Sequence, residues 1–162
     1  MTAVPYASAV GSLQYAQVCT HPDLAFITGV LGRYQSNPGI EHWIMVKKAL
    51  RYVQGTKDLM LTYRRSDSLE IIGYSDADYA GDRDDRKSTS GYIFTLAGGA
   101  ISWRSSKQEL VASSTMYAEF IACYEATGQV IWLKKFIPDL RVVDCIHRPL
   151  KMYCDNAQQQ VE

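Results

Sequence analysis

Small and apolar residues predict helices in the first third of the chain, and in the last of these helices the apolar residues recur at the three- to four-residue spacing of one helix face. Residues 6–18 mix small and apolar side chains and predict a first helix. A second helix is predicted to begin at Pro22, since proline suits the first helical position, and to run to about Tyr34. The third helix is the clearest and ends at Gly55. Four large apolar side chains share one of its faces: Trp43, Val46, Leu50 and Val53.

From about Ser66 onward the pattern changes to short apolar runs bounded by turn residues, which is typical of strands. Strands are predicted over residues 69–75, 92–96, 100–104 and 150–154. A further short strand is predicted over residues 59–63, and Gly98-Gly99 predicts a tight turn. Residues 115–137 predict a helix, in which Gly128 costs about 1 kcal/mol against alanine and marks a break.

The predicted order is therefore helices followed by β-β-β-α-β, which indicates an α/β fold with a mixed sheet. The last strand follows a helix, so it is predicted to pair in parallel with the first strand through a right-handed crossover. At 162 residues the chain is long enough to bury a core. We expect a helical segment over residues 1–66 and a sheet domain over residues 67–162.

The composition limits the kinds of binding partner that the chain is expected to have but does not identify one. The chain is 47% apolar and 21% charged, and its 17 Lys and Arg balance 17 Asp and Glu, as in an ordinary soluble protein. A net charge of zero gives the whole molecule no strong attraction to nucleic acid or membrane. Locally, residues 41–66 hold six Lys or Arg against Glu41 and Asp58. That stretch is only a weak indication of a phosphate-facing surface, because most runs of charged residues are simply solvated faces.

The cysteines and histidines give no metal-binding pattern. Cysteine occurs at positions 19, 123, 145 and 154, without C-x-x-C spacing, and the three histidines are far apart, so zinc is not expected. Scattered cysteines with apolar neighbours predict reduced core residues in a cytosolic or nuclear protein. The N-terminus lacks the basic and apolar regions of a secretory signal, and no window is long enough for a transmembrane helix. No membrane partner is expected.

Three acidic residues carry the candidate chemistry. Asp76 and Asp155 each end an apolar, strand-like run, and Glu119 lies in the first turns of the predicted helix. Each has an ordinary alternative, since aspartate is common where strands end and an acidic residue near a helix start complements the dipole. In an extended strand Asp76 shares a face with Tyr74 and Asp78.

Taken together, the three carboxylates favour a metal site. A parallel strand pair places Asp76 and Asp155 next to each other at the carboxyl ends, where α/β sheets bind ligands. The helix between these strands can bring Glu119 over the same edge. Three like charges so close would raise one another's pKa values unless a cation lay among them. Hard Mg²⁺ prefers such oxygen ligands.

Seven segments, in order and over nearly the whole chain, closely resemble the C-terminal polyprotein region of Ty1/copia-type retrotransposons. They are Val4–Leu13, Thr20–Ala25, Tyr74–Asp78, Arg86–Tyr92, Ala100–Trp103, Ser114–Glu119 and Tyr153–Asn156. The resemblance implies a ribonuclease H-like domain preceded by helices that connect it to the reverse transcriptase. It also implies that the catalytic and metal-binding carboxylates are Asp76, Glu119 and Asp155, with Mg²⁺ or Mn²⁺ as cofactor.

The implied substrate is the RNA strand of an RNA–DNA hybrid, hydrolysed with two metal ions. Selectivity for the hybrid would come from 2′-hydroxyl contacts in a wide minor groove. Two groups of basic side chains are the candidate phosphate contacts. One lies in the third helix and the other in the turn after the first strand: Lys47, Lys48 and Arg51, and Arg83, Arg86 and Lys87.

The chain departs from the family pattern in three places. Tyr117 stands where the family usually has glutamate. After Asp155-Asn156 the family continues with a helix, a strand and a fourth acidic ligand, whereas residues 157–162 differ from that pattern. No polymerase Asp-Asp centre is present. These departures predict a sheet domain that is incomplete at its C-terminus and a weak or absent nuclease activity.

The sequence is also compatible with two other functions. Similar fragments resemble chains classed as secreted RxLR-type effectors of oomycete plant pathogens, which act on host proteins inside host cells. The sequence has no Arg-x-Leu-Arg motif near its N-terminus; Arg148–Lys151 is the nearest approach. The other alternative is a relic that folds without catalytic function. Cleavage of a labelled hybrid separates the enzyme from both.

Overall fold

A computed structural model describes residues 4–65, 69–82, 84–140 and 150–154. The chain divides into two compact units, one ending at Leu61 and the other beginning at Thr62. The predicted domain boundary at residue 66 adjoins residues outside the described ranges and stays a prediction. Within the described residues, no helix combines the length and apolar character needed to cross a bilayer.

The first unit is helical, as the apolar spacing predicted. Its helices are α1 (Tyr6–Cys19), α2 (Ala25–Gly32) and α3 (Ile40–Gly55), and a short 3-10 helix, Pro22–Leu24, precedes α2. Pro22 lies in the first turn of that short helix, where it removes no needed hydrogen bond. The core of this unit contains aliphatic side chains, among them Val10, Leu13 and Val46, together with the buried ring of Tyr6.

The apolar face of α3 is buried only in part. Val46 is fully buried, and Trp43 and Val53 pack against the same core cluster. Leu50, on the same apolar face, is 38% exposed. Helical spacing identified the face but not its width.

The second unit is a four-stranded sheet covered by one long helix. Its elements are β1 (Ile71–Asp78), β2 (Thr89–Leu96), β3 (Gly99–Lys107), α4 (Thr115–Asp139) and β4 (Lys151–Cys154). The strand order is β3-β2-β1-β4. Strands β1, β2 and β3 pair antiparallel, while β4 pairs in parallel with β1. This mixed α/β sheet with its parallel last strand confirms the predicted fold class and is the arrangement of a ribonuclease H-like core.

The prediction of a strand over residues 59–63 is wrong. In place of a ladder, the Arg64 amide donates one hydrogen bond to Ala97 O at 2.9 Å, and the Tyr63 hydroxyl donates to Ala100 O at 2.7 Å. A Cβ at Gly99 would lie 2.6 Å from the Tyr63 ring, so glycine permits this approach. The packing of the Tyr63 ring determines the conformation of this segment. An apolar run in the sequence does not distinguish such packing from strand pairing.

Two further predictions need correction. The β2–β3 turn consists of Ala97 and Gly98, with φ of 54° and 81°, and not of Gly98-Gly99. Gly128 does not break α4, which is continuous from Thr115 to Asp139. Contacts of the helix with the sheet outweigh the cost of one glycine.

The core of the second unit lies between the sheet and α4. Phe94 is fully buried and packs with Ile71 and Met152 from the sheet and with Leu133 and Ile137 from α4. The close packing extends to the backbone of β1, where a Cβ on Gly73 would lie 2.5 Å from the Phe94 ring. Glycine is therefore required beside this aromatic side chain.

Candidate metal and nucleic-acid site

Strand β1 presents Asp76 at its carboxyl end. Tyr74, Asp76 and Asp78 are exposed, whereas Gly73 and Ser75 on the other face are buried, as strand alternation predicts. The Oδ1 atom of Asp76 accepts a hydrogen bond from the Ala77 amide at 2.9 Å. The carboxylate thus lies against the backbone at the end of the strand while remaining open to solvent.

Helix α4 brings Glu119 to the same place. Ser114 caps the helix, and its side chain accepts a hydrogen bond from the Tyr117 amide at 3.2 Å. Glu119 follows in the second turn, so the interpretation that it complements the dipole from the first turn is wrong. Its Oε1 atom instead accepts a hydrogen bond from the Ala77 amide at 3.1 Å.

The Asp76 and Glu119 carboxylates therefore share one backbone donor, the Ala77 amide. A single N–H placed between two acceptors stabilises each only partly, and two like charges held this close repel. A divalent cation would offset that repulsion through oxygen ligands of the kind it prefers. The sequence prediction that a helix brings Glu119 over this sheet edge agrees with this contact.

The third predicted ligand, Asp155, lies outside the described residues. The register of the parallel pair reaches Ser75 opposite Cys154, and Asp76 and Asp155 each follow one position later in the sequence. Within the described ranges, no three His, Cys, Asp or Glu side chains lie close enough together to hold a metal ion. The three-carboxylate metal site stays a prediction.

A buried glutamine, which the sequence did not single out, fixes the helix beside Glu119. Gln108 is 1% exposed, and its Nε2 donates hydrogen bonds to Ser90 Oγ and to Ala118 O, both at 2.9 Å. Its backbone amide donates to Ser88 O at 2.9 Å. Gln108 therefore joins β2 to the carbonyl immediately before Glu119. In the sequence it stands between Lys107 and Glu109, where it resembles a solvated loop residue.

Two cysteines meet on the side of α4 that faces the sheet. The Sγ atoms of Cys123 and Cys154 are 3.5 Å apart, and both are free thiols. Burial chiefly raises the pKa of the Cys154 thiol; the Cys123 hydrogen bond and the nearby negative charges of Cys123 and Glu119 act in the same direction. Reduced core cysteines were predicted, but their separation of 31 positions gave no sign of this contact.

The predicted phosphate contacts lie in both units. In α3, Lys47, Lys48 and Arg51 are exposed, and Arg51 Nε donates to Lys47 O at 3.4 Å. In the turn after β1, Arg86 is exposed and Lys87 is partly buried, while Arg83 lies outside the described residues. Both groups stay predictions.

The turn after β1 is held by an ion pair cluster. Lys107 Nζ lies 2.6 Å from both Asp82 Oδ2 and Asp85 Oδ2. The hydrogen bond from Lys107 lowers the pKa of the Asp85 carboxyl and the bonds to Asp82 and Asp85 raise the pKa of Lys107. This turn therefore carries fixed acidic groups beside its predicted phosphate contacts.

The sheet order, with the parallel strand β4 beside β1, gives this unit a ribonuclease H-like α/β fold. Two retrovirus-related Pol polyproteins contain a similar segment. That of transposon TNT 1-94 from Nicotiana tabacum is 51% identical over 156 residues, or 96% of this chain and 11% of the polyprotein. That of transposon RE2 from Arabidopsis thaliana is 38% identical over 152 residues, or 94% of this chain and 10% of the polyprotein.

A third relative matches the chain over most of its own length. Secreted RxLR effector protein 161 from Plasmopara viticola is 49% identical over 133 residues, which is 82% of this chain and 94% of that protein. This chain belongs to the Ty1/copia-type retrotransposon Pol polyprotein family and spans about a tenth of the length of the polyproteins it matches. No family model and no solved structure matches it.

Proposed function

We propose that the sheet unit binds divalent cations at Asp76, Glu119 and Asp155 and hydrolyses the RNA strand of RNA–DNA hybrids. The observation that carries this proposal is the convergence of Asp76 and Glu119 on the Ala77 amide, at 2.9 and 3.1 Å. One residue comes from a strand end and the other from a helix 43 positions later, so local turn chemistry alone does not explain the contact.

The donor set fits a hard cation. Carboxylate oxygens are the ligands that Mg²⁺ and Mn²⁺ take, and Asp76 is open to solvent, from which a substrate would approach. When bound, two such ions would activate the attacking water and stabilise the leaving 3′-oxygen.

The chain's own residues would orient these ligands. The Ala77 amide restrains both carboxylates, and Gln108 holds the Ala118 carbonyl so that the second turn of α4 stays against the sheet. Outer partners of this kind determine the orientation of metal ligands and typically change affinity or activity by about 10–100-fold when removed.

Cleavage of a labelled RNA–DNA hybrid tests the proposal. We expect weak Mg²⁺-dependent cleavage, as the departures from the family pattern predict, that falls at least about 100-fold in Asp76→Asn and in Glu119→Gln, because each change removes a ligand charge. Asp78→Asn is the matched control, since Asp78 lies exposed on the same face of β1 two positions further on. Cleavage that persists in Asp76→Asn, or that does not need a divalent ion, would contradict the proposed site.

A second candidate function is that of an effector protein acting inside host plant cells. The similarity that covers 94% of the Plasmopara viticola effector supports it. Expression in plant cells under a cell-death trigger tests this role. Suppression of cell death by both the unaltered chain and Asp76→Asn would indicate a surface function independent of the carboxylates.

A folded chain that is inactive in both the hybrid-cleavage assay and the plant-cell assay would support the third alternative, a relic without catalytic function. These assays therefore assign a different pattern of outcomes to each of the three functions.

A further inference from the structure

The Cys123 and Cys154 thiols form a close pair between α4 and β4. Their Sγ atoms are 3.5 Å apart, and both cysteines are free. A disulfide has an S–S length of about 2.05 Å, so bonding would require the sulfurs to approach by roughly 1.5 Å. A side-chain rotation or a small shift of either element supplies a movement of that size.

We propose that Cys123 and Cys154 are the site of an intramolecular disulfide, formed by exchange with a small disulfide such as oxidised glutathione. Neither thiol belongs to the proposed ligand set, so formation of the bond does not depend on nuclease activity. The two residues lie on different elements, and the bond would join α4 covalently to β4.

The disulfide would form by thiol–disulfide exchange in two steps. Cys154 is half-buried and Cys123 is 8% exposed, so the incoming disulfide meets Cys154 first. The Cys154 thiol loses its proton, and its sulfur attacks one sulfur of oxidised glutathione; the glutathione sulfur that leaves takes up a proton. Because burial raises the pKa of the Cys154 thiol, this first step is slower than the same reaction at an exposed cysteine. The Cys123 sulfur then attacks the Cys154 sulfur of the mixed disulfide and releases the second glutathione thiol. Two thiols of the protein lose two protons and two electrons, and one glutathione disulfide becomes two thiols.

Proximity favours the second step over further reaction with glutathione. Cys123 is held next to the mixed disulfide by the packing of α4 on the sheet, so its attack is intramolecular. Exposed Cys19 has no disulfide partner among the described residues and offers a thiol for comparison. We expect Cys19 to retain glutathione and the pair to expel it.

The bond would also affect the proposed site. Cys123 is one helical turn after Glu119, and Cys154 immediately precedes Asp155. Drawing the two sulfurs together would change the separation of the elements that carry these ligands. This consequence rests on the proposed function, whereas the disulfide itself does not.

The test uses the full chain with Cys19→Ser and Cys145→Ser, which leaves only the pair. After incubation with oxidised glutathione, we expect a product two hydrogen atoms lighter, with no free thiol and no glutathione adduct, that dithiothreitol returns to its original mass. Adding Cys123→Ala should convert the product to a glutathione adduct on Cys154. Circular dichroism of each variant checks that it is folded.

Two outcomes would overturn the disulfide site. One is a folded pair that keeps a stable glutathione adduct, or that leaves both thiols free when the incubation is extended far beyond the time needed to modify Cys19 in the unaltered chain. The other is a bond that forms as fast in denaturant as in the folded chain, since the proposal requires the folded geometry to bring the thiols together.

Hybrid cleavage by the oxidised and reduced forms then tests the effect on the site. We expect at least about a tenfold loss on oxidation that is regained on reduction, as for other disturbances of ligand orientation, and no loss in a variant that carries both Cys123→Ala and Cys154→Ala. Equal activity of the two forms would overturn the effect on the site. A disulfide detected by mass in a chain inactive in both forms would contradict the proposed function while leaving the disulfide site intact.

Discussion

The two units of the molecule differ in the polar side chains that they bury. The helical unit has an apolar core that includes the Tyr6 ring, and its buried Thr28 hydroxyl donates to Leu24 O, four positions earlier in the chain. The sheet unit buries several polar side chains. These are Ser75, Ser88, Thr89, Ser90 and Gln108.

The difference lies in how many buried polar side chains each unit has and in what they join. In the helical unit Thr28 bonds within a local turn and the Tyr6 hydroxyl donates to Leu31 O, 25 positions away, at 2.9 Å. In the sheet unit Gln108 joins partners 18 and 10 positions away, next to Glu119. Burying polar groups costs free energy unless they are paired, so their concentration beside Glu119 marks the part of the molecule organised for more than stability. The predictions below test that contrast, from the largest expected effect on stability to the smallest.

Phe94→Ala should lower the free energy of unfolding of the sheet unit by about 3–5 kcal/mol, because it removes a fully buried ring packed against α4. Hydrogen exchange at the amides of β1 and β2 measures the effect. Leu96→Ala is a control on the same strand, since Leu96 is only partly buried. Equal losses in the two variants would contradict the assignment of Phe94 to the centre of the core.

Gln108→Leu should cost about 1–3 kcal/mol by removing the side-chain hydrogen bonds to Ser90 Oγ and to the Ala118 carbonyl, and should reduce hybrid cleavage by displacing Glu119. Gln129→Leu is the matched control. Gln129 Nε2 also joins α4 to the sheet, donating to Ser102 Oγ at 3.0 Å, but lies almost three turns beyond Glu119.

The comparison of these two glutamines separates stability from function. Chemical denaturation measures the first, and cleavage rates at matched folded fractions measure the second. If both variants lose cleavage only in proportion to lost stability, Gln108 has a structural role alone.

Thr28→Val should change the free energy of unfolding by only about 0.5–1.5 kcal/mol, because the lost hydroxyl bonds a carbonyl of its own local helical segment. Urea denaturation measures the change. A cost larger than that of Gln108→Leu would break the proposed contrast between local and non-local polar groups.

The ion pairs of Lys107 should weaken in acid. Since the folded-state pKa of Asp85 lies below its ordinary value, the stabilisation is present at neutral pH and is lost as the pH falls through that lowered pKa. Lys107→Met should remove this dependence and raise the pKa of Asp85 toward its ordinary range. Nuclear magnetic resonance titration of the Asp85 carboxyl measures it, and an unchanged titration would contradict the pairing.

Local sequence patterns predicted most elements because their causes are local. A mixture of small and apolar residues located α1, helical spacing located α3, and apolar runs bounded by turn residues located the four strands of the sheet. The parallel pairing of β4 with β1 followed from a connection that contains a helix. Local patterns failed at residues 59–63 and at Gly128, where tertiary packing outweighed them.

The candidate site shows the same division. Strand alternation put Asp76 on the exposed face, and a capping serine fixed where α4 begins. The shared Ala77 amide, the Gln108 bonds and the Cys123–Cys154 contact each join residues far apart in the sequence. Such contacts depend on how deeply α4 packs on the sheet.

By itself, the sequence determined the order of elements, the fold class and the identities of the candidate carboxylates. Helix and strand propensities, the spacing of apolar residues and turn chemistry act over a few residues, so they can be recognised in the sequence alone. Only the tertiary structure decided that Asp76 and Glu119 meet at one amide and that Gln108 is buried beside them. The physical reason is that distances between elements depend on the combined packing of many side chains, such as Phe94 against Gly73. A short sequence pattern does not specify that combined packing.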